Sequence, residues 1–173
     1  MLIKLAIFDI DGVLTNGKKT YGKDGSCISK TFCDKDFTAI KKLKSSEVKV
    51  CFCSGDSNVN ELVAKNRNID FYNSRHKDKA SFIDKFSEHY KCSIKNMLYI
   101  GDDVFDISLL KKVGFSACPS DAILEVQEVC NLILKSKGGE NCIVELVNYL
   151  YNHNMIKNYN YESFINLDAS DKF

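Results

Sequence analysis

Residues 97–106 read MLYIGDDVFD. Four apolar residues run into a glycine and then into three carboxylates, Asp102, Asp103 and Asp106. A short continuous apolar run closed by glycine marks a strand buried on both faces, as in a parallel sheet covered by helices. In such sheets ligands bind outside the carboxyl ends of the strands. Acids gathered directly behind a buried strand therefore belong to a crevice.

The rest of the chain repeats the alternation. LIKLAIFDID (residues 2–11), VKVCFC (48–53), IDFY (69–72), GFSAC (114–118) and LILK (132–135) are further strand-like runs. Between them lie segments with helical spacing: one carrying Ile40 and Leu43, with Asp36 as its cap, and one after Ser57 through Leu62, Val63 and Lys65. Residues 78–90 (Phe82, Ile83, Phe86), 106–113 and 121–130 continue the pattern, and a last helix holds Ile143, Leu146, Val147 and Leu150. Strands alternating with helices predict an α/β fold, a doubly wound parallel sheet. KKTYGKDGSCISKTF (18–32) interrupts it as a β-hairpin, with Asp24-Gly25 at the turn. Residues 1–152 form the domain. The tail, 153–173, is rich in Asn and Tyr and has no clear period; it is expected either to be disordered or to dock on a neighbouring subunit.

At 173 residues the chain is long enough for one domain with a sizeable core. A net charge of +1 gives no field for nucleic acid or a membrane surface, and no aromatics interleave with Lys/Arg as a stacking platform requires. No apolar run spans a bilayer and no secretory leader is read, so a cytoplasmic setting is expected. The eight cysteines include no CxxC pair, which argues against zinc and for reduced thiols. Cys51 and Cys53 share one face of a strand, as small core residues.

Four strand ends carry the chemistry. Asp9 and Asp11 follow the first strand, Ser54 and Gly55 the second, and Asp102 and Asp103 the run at 97–100; Lys79 opens the helix after IDFY. Two residues apart on an extended strand, Asp9 and Asp11 point to the same side. With Asp102 they form a carboxylate cluster that repels itself unless a cation is present, and oxygen ligands favour Mg²⁺. Lys79 and Ser54 add a charge and a hydroxyl suited to a phosphoryl group. A lone DxD or GDD is a weak signal; their order, each at a strand end, is a strong one.

DIDGVLTNG (9–17), CFCSGD (51–56), HKDKAS (76–81) and YIGDDVFD (99–106) together resemble the four motifs of the haloacid dehalogenase superfamily. TFCDKDFTAIKKL (31–43) and LKSKGGENCIVELV (134–147) narrow the resemblance to the phosphatases of 3-deoxy-octulosonate 8-phosphate and of nonulosonate 9-phosphates. That resemblance implies Asp9 as nucleophile and Asp11 as general acid and base. It implies Mg²⁺ held by Asp9, the Asp11 backbone carbonyl and Asp102. Ser54, Gly55 and Lys79 would bind phosphoryl oxygens, while Asp103 and Asp106 orient Lys79 or metal-bound water. The substrate would be a small phosphorylated sugar acid.

Residues 12–53 and 80–101 are too short to hold a cap domain. An open crevice excludes water poorly, so a neighbouring subunit in a homotetramer, meeting the hairpin, is expected to cover it. Two departures bear on the sugar: Asp56 stands where these relatives tend to have Arg, and Phe37 stands where they have glycine. Lys35, Arg67, Arg75 and Lys137 are the candidate replacements, and the loop 137–141 either reaches the substrate or is a plain turn. The alternatives are a broad-specificity sugar phosphatase of the same fold, a phosphoacceptor signalling module, and a non-catalytic binding domain. A receiver-type module needs an acid after the third strand, where this chain has DFYNSR (70–75).

Overall fold

A computed structural model describes residues 1–56 and 58–171; Ser57, the expected cap, lies outside the described residues. The central strand is β1 (Leu5–Phe8), with side chains buried on both faces. Ala6 and Phe8 enter one core with Ile40, Leu43, Ile143, Leu146 and Leu150. Leu5 and Ile7 enter the other with Cys51, Cys53, Phe86, Leu109 and Leu110. This period of two, apolar on both sides, is what a sheet between two helical layers demands.

After β1 comes a hairpin of β2 (Thr15–Tyr21) and β3 (Cys27–Phe32), antiparallel and separate from the main sheet. It begins three residues earlier than the sequence suggests. Then follow α1 (Asp34–Ser45), β4 (Lys49–Ser54), α2 (Val59–Asn66), β5 (Asp70–Asn73), α3 (Ile83–Tyr90) and β6 (Met97–Ile100). The chain ends with α4 (Ile107–Leu110), β7 (Phe115–Cys118), α5 (Leu124–Gln127), β8 (Leu132–Ile133), α6 (Cys142–Asn152) and α7 (Tyr161–Ser170). The six main strands lie in the order β5-β4-β1-β6-β7-β8, all parallel. Chain order runs outward from β1 in both directions, so the switch point lies between β1 and β6.

Asp36 does not cap its own helix. The residue before α1 is Cys33, which makes no side-chain cap bond. Asp36, fully buried, instead accepts from the backbone N–H groups of Ile143 (3.0 Å) and Val144 (3.1 Å) at the start of α6. A carboxylate there satisfies orphan donors and suits the helix dipole. Burial raises the Asp36 pKa, and the Val144 and Ile143 amides pull it back. Asp36→Ala is therefore expected to cost about 1–3 kcal/mol in urea unfolding, the cost of buried unsatisfied donors. A loss within about 0.5 kcal/mol would put the residue in the class of neutral surface changes.

The tail is ordered against its own chain. Lys41 on α1 pairs with Asp168 (2.5 Å) and Asp171 (2.9 Å), Arg67 reaches Asp171 at 3.3 Å, and the Asn160 N–H donates to the Ser45 carbonyl. No residue of α7 is buried. A helix fastened by ion pairs needs no apolar stripe, which is why the sequence shows no period there.

Candidate active site

The candidate site sits where β1, β4 and β6 end. Asp9 is buried, its Oδ1 accepting the Ile10 N–H at 2.7 Å and its Oδ2 lying 2.9 Å from Lys79 Nζ. Lys79 opens a short 3₁₀ turn, Lys79–Phe82, whose preceding Asp78 accepts the Ala80 N–H. The same ammonium meets Asp106 Oδ1 at 2.5 Å and the Tyr99 hydroxyl at 3.1 Å. Burial pulls the Lys79 pKa down, but the carboxylates of Asp9 and Asp106 outweigh it, so the group stays charged.

Asp9, Asp102 and Asp106 each bring a carboxylate oxygen within 4.8 Å of the others. Their hydrogen bonds separate their roles. Asp106 Oδ1 accepts from Lys79 and Tyr99, and its Oδ2 accepts the N–H groups of Asp102 (2.8 Å) and Asp103 (3.0 Å). Four donors occupy its lone-pair directions, so Asp106 orients Lys79 and the turn after β6 and has nothing left for an ion. Asp102 Oδ1, in contrast, is buried with no hydrogen-bond partner. Burial, then Asp9 and Asp106, push the Asp102 carboxyl up to about 8. Burial likewise lifts Asp9 to about 6 despite Lys79. A buried carboxylate and a half-buried one, short of positive charge and offering only oxygen, fit a hard divalent cation.

Gly12 makes room for Asp102. Its φ is +81°, and a Cβ there would lie 1.9 Å from Asp102 Oδ2. The loop 137–141 packs behind it, with a Cβ on Gly138 falling 1.8 Å from the Gly12 carbonyl oxygen. That loop therefore supports the backbone of the Asp9–Gly12 turn. Gly12→Ala is expected to weaken Mg²⁺ binding at least tenfold, on the order of the loss when a ligand's support is removed. A thermal-shift titration with Mg²⁺ checks this; an unchanged midpoint would mean that Asp102 tolerates the displacement.

Ser54 is buried at the end of β4, followed at the turn by Gly55. Asp103 is exposed and its carboxylate accepts the Val104 N–H at 2.7 Å; of the two acids expected to orient Lys79 or metal-bound water, Asp106 is the one that contacts Lys79. The Asp11 side chain lies outside the cluster of Asp9, Asp102 and Asp106. Its carboxylate turns to the hairpin, where Lys30 Nζ lies 2.7 Å from Oδ1 and 2.9 Å from Oδ2, and Lys19 lies 3.5 Å away. Both lysines also reach Asp56, at 2.8 and 3.0 Å.

Lys19 and Lys30 face each other directly across the hairpin. Like charges in that register are unfavourable unless compensated, and Asp11 and Asp56 compensate them. Lys19 and Lys30 thus join Lys79 as cations of the site, and neither is among the candidates for the sugar carboxylate. Lys35, Arg75 and Lys137 are exposed, and Arg67 stacks on Phe37 and pairs with Asp171. Nothing in the sequence marks the lysines of an exposed-looking hairpin as site residues; their spacing is that of any alternating strand.

A family model described as haloacid dehalogenase-like hydrolase matches residues 56–147. The chain is 29% identical to the 3-deoxy-D-manno-octulosonate 8-phosphate phosphatase of Haemophilus influenzae, over 83% of this chain and 80% of that protein. The cobalt-bound structure of the deoxy-D-mannose-octulosonate 8-phosphate phosphatase from Haemophilus influenzae superposes with a TM-score of 0.81 at 28% identity, covering 87% of this chain and 88% of that one. The 3-deoxy-D-manno-octulosonate 8-phosphate phosphatase of Yersinia pestis does so at 0.81 and 25% identity, covering 90% and 86%. Sheet order, the missing cap and these likenesses agree: the chain belongs to the haloacid dehalogenase-like hydrolases, in their capless octulosonate-phosphatase-like branch, and is a phosphoric monoester hydrolase.

Proposed function

We propose that this chain is a Mg²⁺-dependent phosphatase of a phosphorylated 2-keto-3-deoxy sugar acid, working through an aspartyl-phosphate on Asp9. The observation that carries it is the buried Asp9 carboxylate, held by Lys79 and the Ile10 N–H beside an unpartnered Asp102 at the switch point. Asp9, Asp102 and the backbone carbonyl of Asp11 would hold the cation, which when bound offsets charge on the transferring phosphoryl group.

Asp9 attacks phosphorus and the bond to the sugar oxygen breaks. Asp11, on the hairpin side, gives that oxygen a proton, then takes one from the water that attacks the aspartyl-phosphate and releases phosphate. Ser54, the Gly55 backbone and Lys79 bind phosphoryl oxygens and keep them in line. Asp106 and Tyr99 hold Lys79 in place, and Asp106 also holds the backbone of Asp102 and Asp103.

The sugar-acid class rests on the likeness to phosphatases named for 3-deoxy-octulosonate 8-phosphate; nonulosonate 9-phosphates belong to the same chemical class. A neighbouring copy in a homotetramer would close the uncapped crevice. Val104 and Phe105, exposed in the turn just after Asp102 and Asp103, and Leu124, exposed at the start of α5, support that reading. A cytoplasmic setting is supported by eight cysteines without a disulfide. No helix among the described residues is long and apolar enough to cross a membrane.

The deciding experiment measures phosphate release with Mg²⁺ and with chelator on octulosonate 8-phosphate, two nonulosonate 9-phosphates and several neutral sugar phosphates. Turnover concentrated on one acid sugar names the substrate. Even, slow turnover across the panel sinks the acid-sugar reading and keeps the phosphatase. No release from folded, metal-binding protein favours a binding module.

A further inference from the structure

Asn60 has no place in the chemistry above, yet it is fully buried between two of its residues. It is the second residue of α2, and its Nδ2 donates to Asp11 Oδ2 at 3.0 Å and to Ser54 Oγ at 3.2 Å. Its Oδ1 accepts from Lys30 Nζ at 2.8 Å. The Lys30 side chain has no exposed surface, although it stems from a hairpin on which Tyr21 and Ile28 are about 60% exposed. Burying an ammonium is costly, and the cost is met only when every N–H finds an acceptor. Lys30 has three hydrogens and three acceptors, on Asp11, Asp56 and Asn60.

That arrangement fixes which way the Asn60 amide faces. A lysine can only donate, so the oxygen of the amide must face Lys30 and the NH₂ must face Asp11 and Ser54. The NH₂ in turn occupies a lone pair of the Ser54 oxygen. The hydroxyl proton is then the part of Ser54 left to donate, which is what binding a phosphoryl oxygen requires.

We infer that Asn60, locked in one orientation by Lys30, is a positioning residue that ties Ser54 to Asp11 and presents the Ser54 hydroxyl as a donor to the phosphoryl group. The inference rests on the phosphatase reading and deepens it. Asp56 acts one step further back. Paired with Lys19 and Lys30, it anchors the lysine that sets the amide.

The test is a double-mutant cycle on full-length protein with Mg²⁺ and p-nitrophenyl phosphate, a phosphomonoester that does not depend on the identity of the sugar. Ser54→Ala is expected to lower kcat/KM by about 10²-fold, the typical loss of one preorganised donor. Asn60→Ala is expected to lower it at least tenfold, with a matching loss of inhibition by inorganic phosphate. The double variant should fall little below Ser54→Ala, because Asn60 acts through that hydroxyl. Losses that multiply in an active enzyme overturn the inference, since a merely structural Asn60 would damage both backgrounds equally. Should Asn60→Ala not fold, Asn60→Asp, which keeps an acceptor for Lys30 but removes the NH₂ donor to Ser54, carries the same cycle with the same two outcomes. A wild type that releases no phosphate from any ester fails at the phosphatase reading itself, and this inference falls with it.

Discussion

Asp9→Asn is expected to abolish phosphate release, by at least about 10⁴-fold, while leaving the metal-free protein as stable as the wild type or more so. The activity loss follows from chemistry. An amide cannot form the acyl-phosphate, and removing a nucleophile costs more than removing a binding group. The stability expectation follows from charge. Asp9, Asp102 and Asp106 place three carboxylates around one ammonium, that of Lys79. Burial and the neighbouring acids keep Asp9 and Asp102 well above the ordinary carboxylate range. Asparagine keeps the shape, its one oxygen can still accept from either the Ile10 N–H or Lys79, Lys79 keeps Asp106, and one of the repelling charges is gone.

Stability given up for a reactive arrangement is the usual trade at an active site. The variant should therefore gain less from Mg²⁺ than the wild type does, because it offers the ion one carboxylate fewer. Thermal melts with Mg²⁺ and with chelator, beside a phosphate-release assay, measure both halves. Residual activity above about 0.01%, or a clear drop in the chelator melt, would falsify this account of Asp9.

The fold was legible because its signals are local. β1 and β6 are continuous apolar runs, and the alternation of strands with helical spacing leaves little freedom in how they assemble. Asp9, Ser54, Lys79 and Asp102 were legible for a related reason: each stands at the end of a strand or the start of a helix, and the parallel sheet brings those ends together. What could not be read depends on side-chain direction over long sequence separations. Asp36 satisfies amides 107 and 108 residues away, a pairing that no spacing rule contains. Lys30 and Asn60 meet across 30 residues because the hairpin strand β3 packs against α2. Asp106 was read as a support for Lys79 and is one, but its hold on the Asp102 and Asp103 backbone emerges only from the tight turn at Gly101.

Lys79→Met should damage folding as well as chemistry, in contrast to Asp9→Asn. The lysine is buried, within 2.9 Å of Asp9 and 2.5 Å of Asp106, and Asp106 in turn holds the loop after β6. Methionine fills much the same volume but leaves both carboxylates without their cation. Breaking a buried pair in this way costs about 3–5 kcal/mol, because the desolvated charge that remains is uncompensated. The Tyr99 hydroxyl, which donates to Asp106 Oδ1 at 2.5 Å, keeps that one acid partly satisfied. Asp9 has only the Ile10 N–H left. Mg²⁺ should restore part of the loss, since a cation near Asp9 and Asp102 supplies the missing charge by mass action. It cannot restore turnover, because Lys79 also has to bind a phosphoryl oxygen. Urea unfolding at several Mg²⁺ concentrations separates the two effects. If Mg²⁺ leaves the variant's stability unchanged, the ion does not bind beside Asp9, and the metal site must be placed elsewhere.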